Sequence, residues 1–360
     1  MPEKAGARQR RGRHANLSEM PCARSSALLP RRYPLAVAGN HEQHSLDEAR
    51  HMEAATQRVL CCIGQSVAGY PTQFLMQRLF AVHGLDWTAI SVEVASEDLQ
   101  AAIAGCRAMH FAALRLYPPY VESSSQLFPP APQTPYLRSG FTSAAPENGQ
   151  WIAWHHAGFG MLQLLRNYLD DLQRALFWLH GQSDLVLSVL EILCQQQKQV
   201  VWSYSESKKV GEGPPSIPER GLTAISINDA IDRVKHHLRD ENAPREDLVV
   251  VSDEPIAMYE GTWNMFLDAL ESRPSGVEPS LRDAPRDITA SSEQDPPRRF
   301  ITLEGVLAFP LSTLPAPWSA EILTRRDLAV ACEAYDFERW TGIVPNTELL
   351  RDAYDEFFDL

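Results

Sequence analysis

The stretch VLCCIGQSVAGYPTQFLMQRLFAVHGLDWTAISVEVASEDLQAAIAGCRAMHFAALRLYPPY, Val59 to Tyr120, decides the fold. Its apolar start, Val59–Ile63, predicts a strand that turns at Gly64, and apolar residues at helical spacing then predict a helix that Gly84 ends. The segments that follow predict a strand at 87–94, a helix at 97–109 and a strand at 111–117. This alternation of strands and helices indicates an α/β domain with a parallel sheet.

Two loops of this stretch carry a family resemblance. They read GQSVAGYPTQ, Gly64 to Gln73, and RLYPPYV, Arg115 to Val121. They are similar to the patterns GDPVxHSLSP and NVTIPHK, which end the first and third strands of the shikimate dehydrogenase family. The resemblance continues in order through QWIAWHHAGFG, residues 150–160, and FERWTG, residues 337–342, and spans roughly residues 59 to 358.

The resemblance implies a two-domain α/β fold. A substrate-binding α/β domain is expected at 46–165, completed by 330–360, with the final helix returning to this first domain. A Rossmann-like domain of the dinucleotide-binding type is expected at 166–329. Composition adds a disordered basic tail at 1–45 and a disordered insertion at 271–299, which is rich in Pro, Ser, Asp and Arg.

Charge and cysteine usage narrow the class of protein. The 360-residue chain has a formal net charge of −13. Its first 32 residues hold eight basic and two acidic side chains, a net charge of +6, so the remainder carries −19 and is a poor surface for nucleic acid. No apolar run reaches membrane-span length, and the six cysteines show no CxxC or paired spacing. We therefore expect a cytoplasmic protein without membrane or nucleic-acid partners.

The family's two catalytic residues have no counterpart in this chain. In the family a lysine and an aspartate handle the proton of the reacting hydroxyl while a hydride moves to NADP, and such a proton-transfer group contributes on the order of 10² to 10⁴ in rate. The lysine position falls on Val121 and the aspartate position on Ala157, neither of which transfers protons. A shift of one residue would bring Tyr120 to the lysine position, but slippage does not explain the loss of both groups. The sequence therefore predicts that shikimate is not oxidised.

The other substrate positions of the family also differ, and they fall on Tyr70, Thr72, Arg115, Tyr117, Thr142 and Cys332. Arg115 and Tyr117 could bind the carboxylate and hydroxyl of a small hydroxy acid. Equally, Arg115 could only neutralise neighbouring acids. His155 and His156 are weak substitutes for the missing base. As neighbours in a strand they would point to opposite faces, so one of them could face the cleft. The spacing of possible ligands predicts no metal site.

The cofactor turn is degenerate. Where the family has a glycine-rich turn near GAGGAA, this chain has HGQSDL, with the candidate positions His180, Gly181, Gln182 and Ser183. Glycines let the backbone approach a pyrophosphate, whereas Gln182 and Ser183 fill that space and Asp184 would repel a phosphate. Lys208 and Lys209 could still meet a 2′-phosphate. We expect no bound cofactor, or NADP if the protein is an active enzyme.

Three hypotheses remain open at this point. The favoured one is a non-catalytic relative that holds a small hydroxy-acid ligand or a protein partner in the cleft. The second is an active NADP-dependent oxidoreductase of the shikimate or quinate dehydrogenase type, in aromatic amino acid biosynthesis, with relocated catalytic groups. The third is an interaction protein whose cleft is filled by the aromatic side chains Tyr70, Tyr117, Tyr120, Trp151 and Trp154. An open cleft lined by Arg115 and a histidine favours the first two, and packed aromatics favour the third.

Overall fold

The structure is a computed structural model. It describes residues 57–128, 140–169, 171–204, 216–217, 222–239, 247–252, 256, 264, 266–267, 270, 298–307, 311–315 and 318–359. The strands are β1 Arg58–Gly64, β2 Trp87–Glu93, β3 Ala113–Leu116, β4 Ser143–Glu147, β5 Gln150–Trp154, β6 Ala175–His180, β7 Val200–Ser203, β8 Ser216–Ile217, β9 Leu222–Thr223, β10 Asp247–Val251, β11 Arg298–Leu303 and β12 Trp318–Leu323. The α-helices are α1 Thr72–Val82, α2 Leu99–Ala108, α3 Tyr120–Ser123, α4 His156–Leu165, α5 Asp184–Gln195, α6 Ile227–Arg239, α7 Arg325–Thr341 and α8 Thr347–Asp359.

The first sheet has the strand order β2-β1-β3-β4-β5. Its first three strands are parallel, and β4 and β5 form an antiparallel hairpin. The central strand β1 is buried on both faces, which explains its continuous apolar run. Helix α1 covers one face with Leu75, Met76, Leu79 and Phe80, and α2 covers the other with Ile103. The predicted α/β architecture is confirmed for this part of the chain.

The second sheet is parallel throughout, with the strand order β12-β11-β10-β6-β7. Every residue of its central strand β6 is buried. Amphipathic helices such as α5 and α6 pack on it, with Val189 and Val234 in the same core. The arrangement is that of a dinucleotide-binding domain. Arg298 and Arg299, the last residues of the predicted insertion, begin β11, and 271–297 lie outside the described residues, as does the tail 1–45.

The two C-terminal helices return to the first sheet, as expected. Helix α7 begins at the N-cap Thr324, whose hydroxyl accepts from the backbone N–H of Asp327, and ends at Gly342 in the left-handed conformation. Helix α8 lies against α1, where the ring centroids of Phe74 and Phe357 are 5.8 Å apart. Among the described residues, no helix has the length and apolar character that a membrane crossing requires.

Helix α4 corrects the expectation for the two histidines. The strand ends at Trp154, so His155 and His156 are not strand neighbours. His155 is the N-cap of α4 and His156 is its first residue. Glycines had concealed this first turn, because glycine is a poor helix former.

The two glycines of α4 have a packing role. A Cβ added at Gly158 would lie 2.7 Å from the backbone carbon of Ser188 in α5. One added at Gly160 would lie 2.6 Å from the Sγ atom of Cys332 in α7. Real Cβ atoms do not approach so closely, so both glycines are needed for α4 to contact α5 and α7.

Candidate functional site

The candidate site is a buried cluster of charges around Arg115. This side chain extends from β3, and its guanidinium forms ion pairs with two carboxylates of α7, Glu333 and Asp336. The Arg115 Nη2 atom lies 3.1 Å from Glu333 Oε1, and its Nη1 atom donates to Asp336 Oδ2. Nη1 also lies 3.2 Å from Ser143 Oγ and 2.6 Å from His156 Nδ1. We call these five residues the Arg115 cluster.

Asp336 is the most completely paired member of the cluster. Its side chain is fully buried, Oδ1 accepts from the Trp154 indole at 2.7 Å, and Oδ2 accepts from Ser143 Oγ at 2.7 Å. His156 Nδ1 is 3.2 Å from the same Oδ2. Burial alone would raise the pKa of Asp336, but His156, Arg115 and the hydrogen bonds together hold it below its usual value. Asp336 is therefore ionised inside the protein.

Burial would lower the pKa of Arg115, but Glu333 and Asp336 raise it above its usual value, so Arg115 stays charged. An arginine between two carboxylates in a dry interior is stable because the opposite charges replace the lost water. Of the two roles expected for Arg115, binding a ligand carboxylate or neutralising neighbouring acids, its contacts in the structure match the second.

Two tyrosines cover the cluster on its outer side. The Tyr117 ring stacks on the Tyr70 ring with centroids 3.9 Å apart and planes inclined by 11°. The Arg115 guanidinium carbon lies 5.8 Å from the centre of the Tyr117 ring. Thr72 Oγ1 donates to Glu333 Oε1 at 2.8 Å. Four of the candidate substrate positions thus meet in one place.

The two other candidate positions support helix α4. The Thr142 hydroxyl accepts from the backbone N–H of His156 at 2.9 Å. Cys332 is buried in α7 at the close approach to Gly160, and burial raises the pKa of its thiol above the usual value. Both residues therefore position neighbouring groups of α4 and α7.

The two histidines differ in their surroundings. His155 is buried, and burial first, then repulsion from His156 and Arg115, lowers its pKa to about 3. Its Nε2 atom is 4.0 Å from Asp184 Oδ2, but Asp184 is half exposed and offers weak compensation. His155 is therefore neutral and serves as a helix cap. His156 is the histidine that joins the Arg115 cluster.

The two positions onto which the resemblance places the family's catalytic lysine and aspartate hold apolar side chains. Val121 is buried in the short helix α3, and Ala157 lies in the first turn of α4. The neighbouring Tyr120 does not replace a lysine, because its hydroxyl donates to the carbonyl of Val94. Tyr120 and Trp151 belong to the opposite face of the first sheet, so the expectation that they fill the cleft is wrong.

Sequence reasoning missed Glu333, Asp336 and Ser143. The signal for the first two is present in α7, where acids three residues apart lie among the apolar residues Phe337 and Trp340. An acid pair on a buried helical face predicts a buried cation. Ser143 carries no comparable signal.

The second candidate region is the turn between β6 and α5. Gly181 has φ of +100°, and its N–H donates to the carbonyl of Ser203 at 3.0 Å. Its carbonyl accepts from the Trp202 indole at 2.9 Å. Ser183 caps α5 by accepting from the Val186 N–H at 3.3 Å. The Gly181 N–H and carbonyl and the Val186 N–H are therefore paired within the protein.

His180 turns away from this space into the core. Its side chain is buried, and Nδ1 lies 2.9 Å from Ser203 Oγ, which also accepts from the Trp178 indole. The residues of this turn do not fit the pyrophosphate of NADP. Lys208 and Lys209, the candidates for a 2′-phosphate, lie outside the described residues.

Solved structures share this architecture over nearly their whole length. Shikimate 5-dehydrogenase from Listeria monocytogenes, solved with shikimate and NAD, is 12% identical with a TM-score of 0.53, covering 82% of this chain and 96% of that one. Shikimate dehydrogenase from Aquifex aeolicus is 13% identical with a TM-score of 0.51, covering 82% and 97%. 5-Ketofructose reductase of Gluconobacter sp. strain CHM43 is 12% identical with a TM-score of 0.52, covering 84% and 99%.

These matches define the fold of the chain. It is the two-domain shikimate dehydrogenase-like fold that the sequence resemblance implied. No protein-family model matches the sequence, and no curated protein sequence is similar to it. Identities of 12–13% establish the fold alone, so activity is argued from the site.

Proposed function

We propose that this protein is a non-catalytic relative of the shikimate dehydrogenase fold that binds a ligand or partner and does not oxidise shikimate. The observation that carries the proposal is the Arg115 cluster. Arg115 stands where the family has an asparagine, and its charge is matched by Glu333 and Asp336. A substrate carboxylate would have to displace a buried carboxylate from this arginine, which is strongly unfavourable.

The distribution of lysines supports the proposal without any alignment. The chain has lysine at positions 4, 198, 208, 209 and 235. None lies within 46–165 or 330–360, the two ranges predicted to form the substrate domain. No shift of register within these ranges can therefore bring a lysine to the catalytic position. Arginine does not replace it as a proton-transfer group, because its pKa is too high.

Two polar atoms of the Arg115 cluster that lack a hydrogen-bond partner favour a neutral ligand. Among the described residues, the buried Arg115 Nε and Glu333 Oε2 atoms have no hydrogen-bond partner. One is a donor and the other an acceptor, and a hydroxyl group can pair with either. A neutral hydroxyl compound therefore suits this position better than the hydroxy-acid anion expected from the sequence. Water is the simplest molecule with this chemistry.

The test is an assay of hydride transfer. Purified protein with shikimate or quinate and with NADP or NAD should give no absorbance from reduced cofactor. A mixture with an active shikimate dehydrogenase should turn over at the rate of that enzyme alone, which excludes an inhibitor in the preparation. Turnover by the protein alone at ordinary enzyme rates would overturn the proposal.

A second candidate function is oxidoreduction with His156 as the base. One observation favours it: His156 contacts Asp336, and its side chain is 15% exposed. A carboxylate behind a partly exposed histidine is a common arrangement for general-base catalysis. If turnover is found, His156→Gln should abolish it, while His155→Gln should leave most of it.

A further inference from the structure

A groove on the first sheet has the chemistry of a binding site and lies outside the Arg115 cluster. Its volume is about 440 Å³, which suits a small ligand or one extended side chain. It is lined by the loop after β1, by the exposed side of α1, by the end of β2 and by Phe357 of α8. The carboxyl ends of parallel strands are the usual position of ligand sites in open α/β sheets.

The groove contains a partly exposed aromatic ring whose orientation is fixed by stacking. Tyr70 is 37% exposed, and one face of its ring is fixed by stacking on the buried ring of Tyr117. Phe74 and Phe357 line the same space. An aromatic ring held in place and open to solvent on its other side is a surface on which a planar or cationic group can stack.

The groove offers two acceptor groups to a ligand, one on Glu93 and one on Gln77. Glu93 Oε1 accepts from the Val67 N–H at 3.3 Å, which leaves the other carboxylate oxygen open to a ligand. Gln77 Nε2 donates to the Ala89 carbonyl at 3.1 Å, so the amide oxygen of Gln77 is the group available in the groove. The described residues that line the groove include one carboxylate and no lysine or arginine. The ligand should therefore be cationic and rich in N–H donors.

Next to the groove, a guanidinium already lies against an aromatic ring and a carboxylate. Arg78 places its guanidinium carbon 5.1 Å from the centre of the Phe74 ring and pairs with Glu356 at 2.5 Å. The groove offers an equivalent ring in Tyr70 and an equivalent carboxylate in Glu93. A guanidinium suits this combination better than an ammonium, because it is planar, stacks on rings and donates several N–H groups in one plane.

We propose that this groove binds a guanidinium group, carried by a small free compound or by an arginine side chain of a peptide. The Arg115 cluster and any nucleotide take no part in it. Binding of a guanidinium in this groove is therefore independent of whether the protein oxidises shikimate.

Calorimetric titration of the full-length protein with butylguanidinium tests the site. We expect a dissociation constant on the order of millimolar. Glu93→Gln keeps an acceptor for Val67 but removes the charge, and should weaken binding about tenfold. Tyr70→Ala should weaken it several-fold. Glu97→Gln, an exposed carboxylate outside the groove, is the matched control and should change nothing.

Two further ligands test whether the groove prefers a guanidinium to an ammonium, and whether the guanidinium belongs to a free compound or to a peptide. Butylammonium should bind several-fold more weakly than butylguanidinium. A short peptide with a central arginine that binds about tenfold more tightly than butylguanidinium would assign the groove to peptides, whereas equal affinity would assign it to free compounds. Three results would each overturn the inference. The first is no binding of butylguanidinium at about ten millimolar, and the second is equal affinity for butylammonium. The third is unchanged binding by the Glu93→Gln variant when its melting temperature is also unchanged.

Discussion

Beside the first sheet, where the resemblance places the substrate cleft, a buried cation lies between two carboxylates, whereas in the second sheet the turn after β6 pairs the N–H and carbonyl of Gly181 within the protein. The Arg115 cluster joins β3 to α7 through ionised side chains. The turn at Gly181 is paired through neutral groups, the Ser203 carbonyl and the Trp202 indole. The first region is therefore held by ionised groups and the second by neutral hydrogen bonds.

This difference has energetic consequences. Removing one member of a buried ion network leaves another charge without a partner, at a cost of about 3–5 kcal/mol. Removing one neutral hydrogen bond costs about 1 kcal/mol. The cleft should therefore be the region on which stability depends, and the turn should tolerate change.

Arg115→Ala should produce the largest loss of stability. It leaves Glu333 and Asp336 buried without a cation, so the free energy of unfolding should fall by about 3–5 kcal/mol. Urea denaturation followed by circular dichroism measures this loss. Arg78→Ala is the matched control, since its ion pair with Glu356 is about half exposed and contributes about 0–1 kcal/mol. Equal losses in the two variants would mean that the buried Arg115 ion pairs contribute no more to stability than an exposed pair.

The pH dependence of stability distinguishes His155 from the neighbouring Arg115 cluster. Burial, with repulsion from His156 and Arg115 and a smaller opposing effect of Asp336, lowers the pKa of His155 to about 3. An unfolded histidine titrates near about 6.5. As pH falls from about 6.5, the unfolded state binds the proton first, so the free energy of unfolding should fall by up to about 1.4 kcal/mol per pH unit.

His155→Asn tests this pH dependence. Asparagine is a good N-cap, so the substitution should preserve the start of α4 while removing the titrating group. Between about pH 6.5 and pH 5, the stability of the variant should change less steeply than that of the unmodified protein. Parallel stability curves would show that His155 does not resist protonation, and the low pKa would be wrong.

Trp202→Phe should lower stability less than Arg115→Ala, and it tests the turn at Gly181. The change removes the indole N–H that donates to the Gly181 carbonyl and should lower the free energy of unfolding by about 1 kcal/mol. Trp318→Phe, which removes an indole bond to the Leu270 carbonyl, is the matched control and should cost a similar amount. A loss near that of Arg115→Ala would mean that the turn is as tightly coupled to the fold as the cleft.

Local patterns allowed much of the fold to be predicted. The strand predicted at Val59–Ile63 is Arg58–Gly64 in the structure, because a buried parallel strand has a continuous apolar run. Such signals lie within a few residues of the element that they define. The reason for Gly158 and Gly160 in α4 is visible only in the structure, where they lie against Ser188 of α5 and Cys332 of α7.

The site could be predicted in part. The resemblance gave Arg115 as a cleft residue, but its partners Glu333 and Asp336 lie 218 and 221 residues further along the chain. Pairing of charges over this separation depends on the tertiary fold and leaves no periodic pattern. The histidines were placed on a strand because the glycines after them concealed a helix start at His156. Tyr120 was placed in the cleft because its position in the sequence does not show on which face of the sheet it packs.

The smallest expected effect is the response to NADP. The Gln182 and Ser183 side chains stand where glycines would let the backbone approach a pyrophosphate, and the Asp184 carboxylate would repel it. Melting temperatures with and without NADP should therefore agree, whereas a ligand at one hundred times its dissociation constant would add about 2.7 kcal/mol. An active shikimate dehydrogenase measured alongside should show a rise. A comparable rise in this protein would mean that the two domains differ more deeply than proposed, with a closed substrate cleft beside a working nucleotide site.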